Sequence, residues 1–147
     1  MISTRDGCEI STDPGRLDLD AIHVFLVEAY WSPGIPRGVM ERAIENSLVF
    51  GLYAPGGAQA GFARVVTDKA VHAHLAGVFV LPEHRGRGLG VWLVEVVLAH
   101  PELQGVRRFS LGTWDAHELY ARFGFRALAD PSIHMAMERD PKELWRE

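Results

Sequence analysis

The chain has 147 residues, 48% of them hydrophobic and 23% charged, with a formal net charge of −4. That composition suits one soluble globular domain over residues 1–147 with a sizeable core, and its acidic balance gives no basic stripe for nucleic acid. Cys8 is the single cysteine, so no internal disulfide can form; MISTRDGCEIST at the start has no apolar signal segment, and no apolar run could cross a bilayer, so a cytoplasmic protein without a membrane partner is expected.

CEIST (8–12) is expected as the first strand. A helix follows from about Leu19 to Trp31, opened by Asp18 as N-cap, with Ile22, Phe25, Leu26 and Ala29 at helical spacing. Pro33, Gly34 and Pro36 break it, and Pro36 opens a second helix to about Asn46 with Met40, Ala43 and Ile44 inward. LVFGLYA (48–54), the turn PGGA and QAGFARVVT (59–67) read as a β-hairpin, and Asp68 and Lys69 turn the chain into AVHAHLAGVFVL (70–81). Connections this short make the three strands antiparallel neighbours. After a glycine-rich segment, Leu89, Trp92, Leu93, Val96 and Val97 follow the i, i+3, i+4, i+7, i+8 rule of an amphipathic helix, which Pro101 closes. VRRFSLGT (106–113) is expected as a buried strand. DAHELYARFGF has a capping-box pattern, with Asp115 as N-cap, Glu118 three residues on and Gly124 as a left-handed stop. A short strand at 125–128 and a last one, SIHMAMER (132–139), would close the sheet, and an exposed last strand could support a homodimer. The order predicts a mixed α/β fold: a mostly antiparallel central sheet with helices on both faces.

LPEHRGRGLG (81–90) lies at a strand-to-helix junction. A P-loop is excluded because no lysine follows the glycines, and a dinucleotide fingerprint fails because Val91 holds the third glycine position after Gly86 and Gly88. The remaining phosphate-binding pattern is R-x-x-G-x-G, formed by Arg85, Gly88 and Gly90, in which amides at a helix start hold a pyrophosphate. A plain surface turn is the alternative.

VFVLPEHRGRGLG resembles motif A of the GNAT family of N-acetyltransferases, and DAHELYARFGF resembles the family's later stretch ending in Leu-Tyr-x-x-x-Gly-Phe. The resemblance implies the GNAT, or acyl-CoA N-acyltransferase, fold and acetyl-CoA as co-substrate. It implies that the amides of Arg85, Gly86, Arg87, Gly88, Leu89 and Gly90 cradle the pyrophosphate, while the backbone of Val78, Phe79 and Val80 binds the pantetheine like an added strand. Gly77 would suit a bulge where this strand parts from the next; a small residue under a packed helix is the other reading. Related enzymes often carry Asn where this chain has Thr113, whose hydroxyl offers the coenzyme arm fewer hydrogen-bonding groups than an amide.

The implied reaction moves an acetyl group to a primary amine of a small molecule, peptide or protein; a non-catalytic acyl-CoA-binding module is the rival. A backbone N–H near Val78 or Val80 would be the oxyanion donor, and Tyr120 resembles the family tyrosine that protonates the departing sulfur. His72 and His74, two apart on one strand face, Glu28 and Asp115 are candidate proton acceptors, as is water, and Asp115 is more simply a helix cap. The histidine pair could also suggest a metal, but no third ligand is evident and none is expected. Tyr30 and Trp31, at the family's usual acceptor location, and Trp114, with His74, are the candidate acceptor contacts; packing roles are the alternative.

Overall fold

The computed structural model describes residues 1–146. Six strands form one sheet in chain order: β1 (Ile2–Arg5), β2 (Cys8–Ser11), β3 (Leu48–Tyr53), β4 (Gln59–Thr67), β5 (His72–Val80) and β6 (Arg108–Leu111). All neighbours are antiparallel except β5 and β6, which pair in parallel. The predicted mixed sheet is thus present, with one unforeseen strand. β1 and β2 form a hairpin whose two-residue turn is Asp6 and Gly7, at φ 51° and 82°. Both residues sit in the left-handed region that such hairpin turns need, and the Asp-Gly pair is the signal for one.

Helices cover both faces. α3 (Leu89–Leu98) lays its buried stripe of Leu89, Trp92, Leu93, Val96 and Val97 against Phe50, Leu52, Ala63, Val65 and Leu75. α1 (Leu19–Leu26) and α2 (Arg37–Glu45) pack Ile22, Leu26, Met40 and Ile44 against Val49, Phe62 and Phe79 on the other face. Adjacent residues such as Val49 and Phe50, or Phe62 and Ala63, point to opposite layers, which is the period-two alternation of a sheet buried on both sides. No helix is long and apolar enough to cross a membrane among the described residues.

Four local expectations are corrected. α1 stops at Leu26 rather than near Trp31, because the hydroxyl of Ser32 donates to the Leu26 carbonyl at 2.7 Å and the N–H of Gly34 to that of Val27 at 3.0 Å. These bonds take the carbonyls that further helix would use, and they leave Tyr30 and Trp31 on a loop. Asp115 does not cap the helix after it: α4 (His117–Ala121) has Ala116 at its N-cap position, and Thr113 Oγ1 accepts from the N–H groups of Ala116 (3.1 Å) and Asp115 (3.4 Å). β6 is half-buried rather than buried, because it is the last strand of the sheet and no further strand covers it. The segments 125–128 and 132–139 form no strand, and a short helix, α5 (Pro141–Leu144), follows them.

Gly61 marks a close approach of backbone to backbone in the sheet. A Cβ there would lie 2.7 Å from the Phe79 carbonyl oxygen and 2.9 Å from Leu52 Cδ2. Neither neighbour can yield without moving β5 or the core. Gly61→Ala should therefore lower stability by roughly 1–3 kcal/mol in urea denaturation, the cost of overpacking a filled interior; an unchanged midpoint would show that the strands give way freely.

Candidate active site

The site begins with a defect in strand pairing. Across β4 and β5 the register steps from Val65↔Leu75 to Arg64↔Gly77, which leaves Ala76 as an extra residue on β5. Such a bulge bends its strand. The pairing of β5 with β6 ends at the same level, at Leu75↔Leu111. Beyond it, Gly77–Val80 stay paired with β4 on one side only.

The direction of the free groups follows from two bonds. Leu81 N–H donates to the Ala60 carbonyl of the β4 side at 2.8 Å, and Arg85 Nε donates to the Val80 carbonyl at 2.9 Å from the other side. Because successive residues alternate in an antiparallel strand, Val78 and Val80 present N–H and C=O away from β4 while Phe79 turns its own toward it. Phe79 thus differs from its neighbours: its ring stacks on Phe25 at 4.0 Å within the core.

Val78 and Val80 open into a cleft of about 770 Å³ between the diverging strands. Tyr30, Trp31, His74, Phe79, Arg85, Thr113, Trp114 and Tyr120 also line it, so residues far apart in the chain meet there. The glycine-rich loop stands beside it. Gly86 and Gly88 have φ of 83° and 74°, conformations that favour glycine. Gly88 occupies the N-cap position of α3, and no side chain caps that helix, so the first-turn N–H groups of Leu89, Gly90 and Val91 are available to an anion. The Leu89 side chain is buried in the core and only its backbone belongs to this rim. Arg87, Gly88 and Leu89 also border a second depression of about 490 Å³ with Arg5 and Glu95.

Across the cleft, the loop after α1 meets the loop after β6. Tyr30 stacks on Trp114 with centroids 3.8 Å apart, the Trp114 N–H donates to Tyr30 Oη at 3.3 Å, and Trp31 meets Tyr30 edge-on at 5.0 Å. Trp31 also faces Gly77, where an added Cβ would lie 3.7 Å from its indole nitrogen. Gly77 therefore sits next to the bulge and beneath a loop tryptophan, not under a helix. Tyr120 is half-buried beside Phe125, and burial, followed by the proximity of Tyr30 and Asp115, holds its phenol above the ordinary value. Its hydroxyl thus keeps its proton across neutral pH.

His74 lies on the cleft wall with Nδ1 2.9 Å from Ser110 Oγ, while burial and then the charge of Arg64 lower its imidazole below the usual range. His72, exposed at the start of β5, and Glu28 do not line the cleft, whereas Asp115 does. Sequence reasoning missed Ser110 and Glu138, both now at or beside the cleft wall. Ser110 is opposite His74 in the β5–β6 register, so only the parallel pairing reveals it. Among the described residues, no three His, Cys, Asp or Glu side chains converge as metal ligands.

This architecture is shared with known proteins. The model of the acetyltransferase (GNAT) domain matches residues 45–127. A protein of Gibberella zeae, named provisionally as an acetyltransferase, is 30% identical over 141 residues, covering 81% of this chain and 78% of its own. A crystal structure of a provisional GNAT acetyltransferase from Xanthomonas campestris pv. campestris is 45% identical, with a TM-score of 0.91 over 98% of this chain and 100% of that one. The ribosomal-protein-S18-alanine N-acetyltransferase of Escherichia coli is 26% identical, with a TM-score of 0.67 over 83% of this chain and 79% of that one. The sheet that parts after Leu75, the uncapped helix beside it and these matches lead to one conclusion: the chain belongs to the GNAT family of acetyltransferases.

Proposed function

We propose that the protein transfers the acetyl group of acetyl-CoA to a primary amine by direct attack of the amine on the thioester. The observation that carries this reading is the edge of β5 at Val78 and Val80, which no strand pairs and whose Val80 carbonyl accepts from Arg85, facing a cleft that adjoins the uncapped start of α3. Amides at such a helix start suit a diphosphate through direct hydrogen bonds and the helix dipole. An extended, amide-bearing arm can pair with the free edge of β5 as a short added strand. Arg85 is held over the Val80 carbonyl and Arg87 stands beyond the cleft, so both supply positive charge near the diphosphate.

As the C–N bond forms and the C–S bond breaks, negative charge grows first on the carbonyl oxygen and then on sulfur. The Val78 or Val80 N–H meets the first, a contribution on the order of 3 kcal/mol by comparison with other oxyanion donors. Tyr120 gives its proton to the second. Burial suits it to this work, since a phenol held above its ordinary value stays protonated until the sulfur becomes basic. The amine must arrive without one proton. His74, neutral over a wider range because its pKa is lowered, Asp115, freed from a capping role by Thr113, and water are the acceptors in reach of the cleft. Tyr30, Trp31 and Trp114 form the aromatic wall against which the acceptor would rest, and such faces favour cationic or planar groups.

Tyr120→Phe tests the acid. It should leave the dissociation constant for acetyl-CoA within about twofold and lower turnover by roughly 10²-fold or more in a free-thiol release assay. Equal turnover would remove Tyr120 from the chemistry, and absence of thiol release by the natural protein with polyamines, amino acids, aminoglycosides and peptides would favour a binding module.

His74 offers a separate check by NMR titration. Its apparent pKa should fall below 6.5, and Arg64→Gln should raise it, because removing a neighbouring positive charge favours the imidazolium. Since the folded imidazole binds its proton more weakly than the unfolded one, this group subtracts stability as the pH falls below about 6.5. A value at or above 6.5 would contradict the partial desolvation of the ring and the influence of Arg64.

A further inference from the structure

Arg64 is a partly buried cation without an anion. Its Nη1 donates to Ser47 Oγ at 3.1 Å, and that neutral hydroxyl is its one side-chain partner among the described residues. The ion pairs found there join Arg16 to Glu9, Arg37 to Asp20 and Glu41, and Lys69 to Glu102, and none includes Arg64. Burial is the one influence on its pKa, downward, with no carboxylate acting against it. A guanidinium keeps its charge regardless and has several N–H donors to satisfy. Taking it partly out of water without a counter-ion is costly.

Strand alternation places this charge beside the cleft. Phe62, two residues before Arg64, packs in the α1–α2 layer, whereas Ala73 and Leu75, on either side of His74, pack in the α3 layer. Arg64 and His74 therefore share the α1–α2 face of the sheet, together with Val66, the register partner of His74. α1 ends at Leu26 and leaves that part of the face open, with Val66 45% exposed. Arg64 pairs with Gly77, which lines the cleft, and its charge lowers the His74 pKa, so guanidinium and imidazole are near neighbours at this end. Negative charge stands elsewhere in the cleft, at Glu138 and at Asp115, which acts on the Tyr120 phenol. The cleft is thus electrically two-ended.

We propose that the open face at Arg64 and His74 seats a carboxylate of the acceptor, so that the acceptor is an amine carrying a carboxylate several bonds away. This rests on the amine-acetylating reading given above. A planar fork of N–H donors matches a carboxylate in shape as well as charge, and one permanent charge among neutral neighbours suits a monoanion. Ser47 precedes Leu48, the partner of Val65, so the guanidinium reaches along the sheet toward the level of His74. Val78, a proposed oxyanion donor, lies four positions beyond His74 on β5. At about 3.3 Å per residue that is roughly 13 Å of strand, more than an α-amino acid bridges between its two charges. An ω-amino carboxylate spans it, with its ammonium toward Asp115 and Tyr120 and its carboxylate on Arg64.

In the free-thiol assay, ε-aminocaproate should show a kcat/KM about tenfold or more above that of ε-aminocaproamide, an equally long neutral amine, with the difference carried by KM. Arg64→Gln should bring the two acceptors level. Equal values in the natural protein, or a preference that survives Arg64→Gln, would overturn the proposal. If the variant fails to fold, or if the natural protein acetylates neither amine, NMR titration of His74 in the natural protein decides, because it reads the seat without turnover. A carboxylate beside Arg64 offsets that positive charge, so saturating ε-aminocaproate should raise the His74 pKa and ε-aminocaproamide should not. An unmoved pKa, or the same movement with both, would refute the carboxylate seat. A raised pKa without thiol release would support the seat and count against the transfer reading alone.

Discussion

A main-chain amide removed from its neighbours must find another partner, and the fold is organised around a place where that demand is left open. β5 carries one residue too many at Ala76, and its pairing with β6 ends at Leu75. The strand therefore continues with one edge satisfied by β4 and the other bare. Buried or half-buried polar groups rarely stay unpaired in a native protein, so an edge held open by the rest of the sheet is a surface built to accept hydrogen bonds from elsewhere. Arg85 already takes one of these carbonyls, at Val80, which fixes the side from which a ligand must approach.

Everything near the opening depends on rigid support behind it. Gly61 lets the Phe79 carbonyl approach β4 closely, and Phe79 itself is locked between Phe25 and Phe62, so the strand bearing the bare edge cannot slide. α3 is anchored by its apolar stripe in the opposite layer, which holds its N-terminal amides at a fixed place beside that edge. The helix start lies close to the strand edge: a Cβ on Gly90 would come 3.8 Å from Val80 Cγ2. On the other wall, Tyr30 and Trp114 tie together two loops that no secondary structure connects. On the proposed assignment, the coenzyme side is backbone held by a core and the acceptor side is side chains held by aromatic stacking. Loops of this second kind vary more readily than cores, so acceptor choice could then change while the proposed coenzyme side stayed the same.

Much of this was legible in the residues because the strongest signals are local. The stripe from Leu89 to Val97 needs only helical period to be read, and Gly86 and Gly88 announce positive φ beside a strand. The strands 48–53 and 59–67 were marked by the turn between them. What escaped notice was decided by partners distant in sequence or by competing short-range bonds. Ser32 and Gly34 ended α1 early by taking its carbonyls, and Thr113 displaced Asp115 as the donor-satisfying group before α4. The Asp6–Gly7 hairpin was visible in principle, but the strand before it, Ile2–Arg5, has too little apolar alternation to stand out. Ser110 joins His74 only through the parallel register, which no local pattern encodes. The segment 132–139 has a strand's alternation without a strand's partner in its own chain, and there the periodicity described the segment's preference rather than its surroundings.

Because backbone donors cannot be deleted by ordinary substitution, the most direct test of the open edge reads the amides themselves. Hydrogen–deuterium exchange followed at single residues, with and without saturating coenzyme A, should show slowed exchange at Val78 and Val80 and at Leu89, Gly90 and Val91, with little change along β1 and β2. Unchanged exchange at all five amides, together with no heat of binding by calorimetry, would contradict the account.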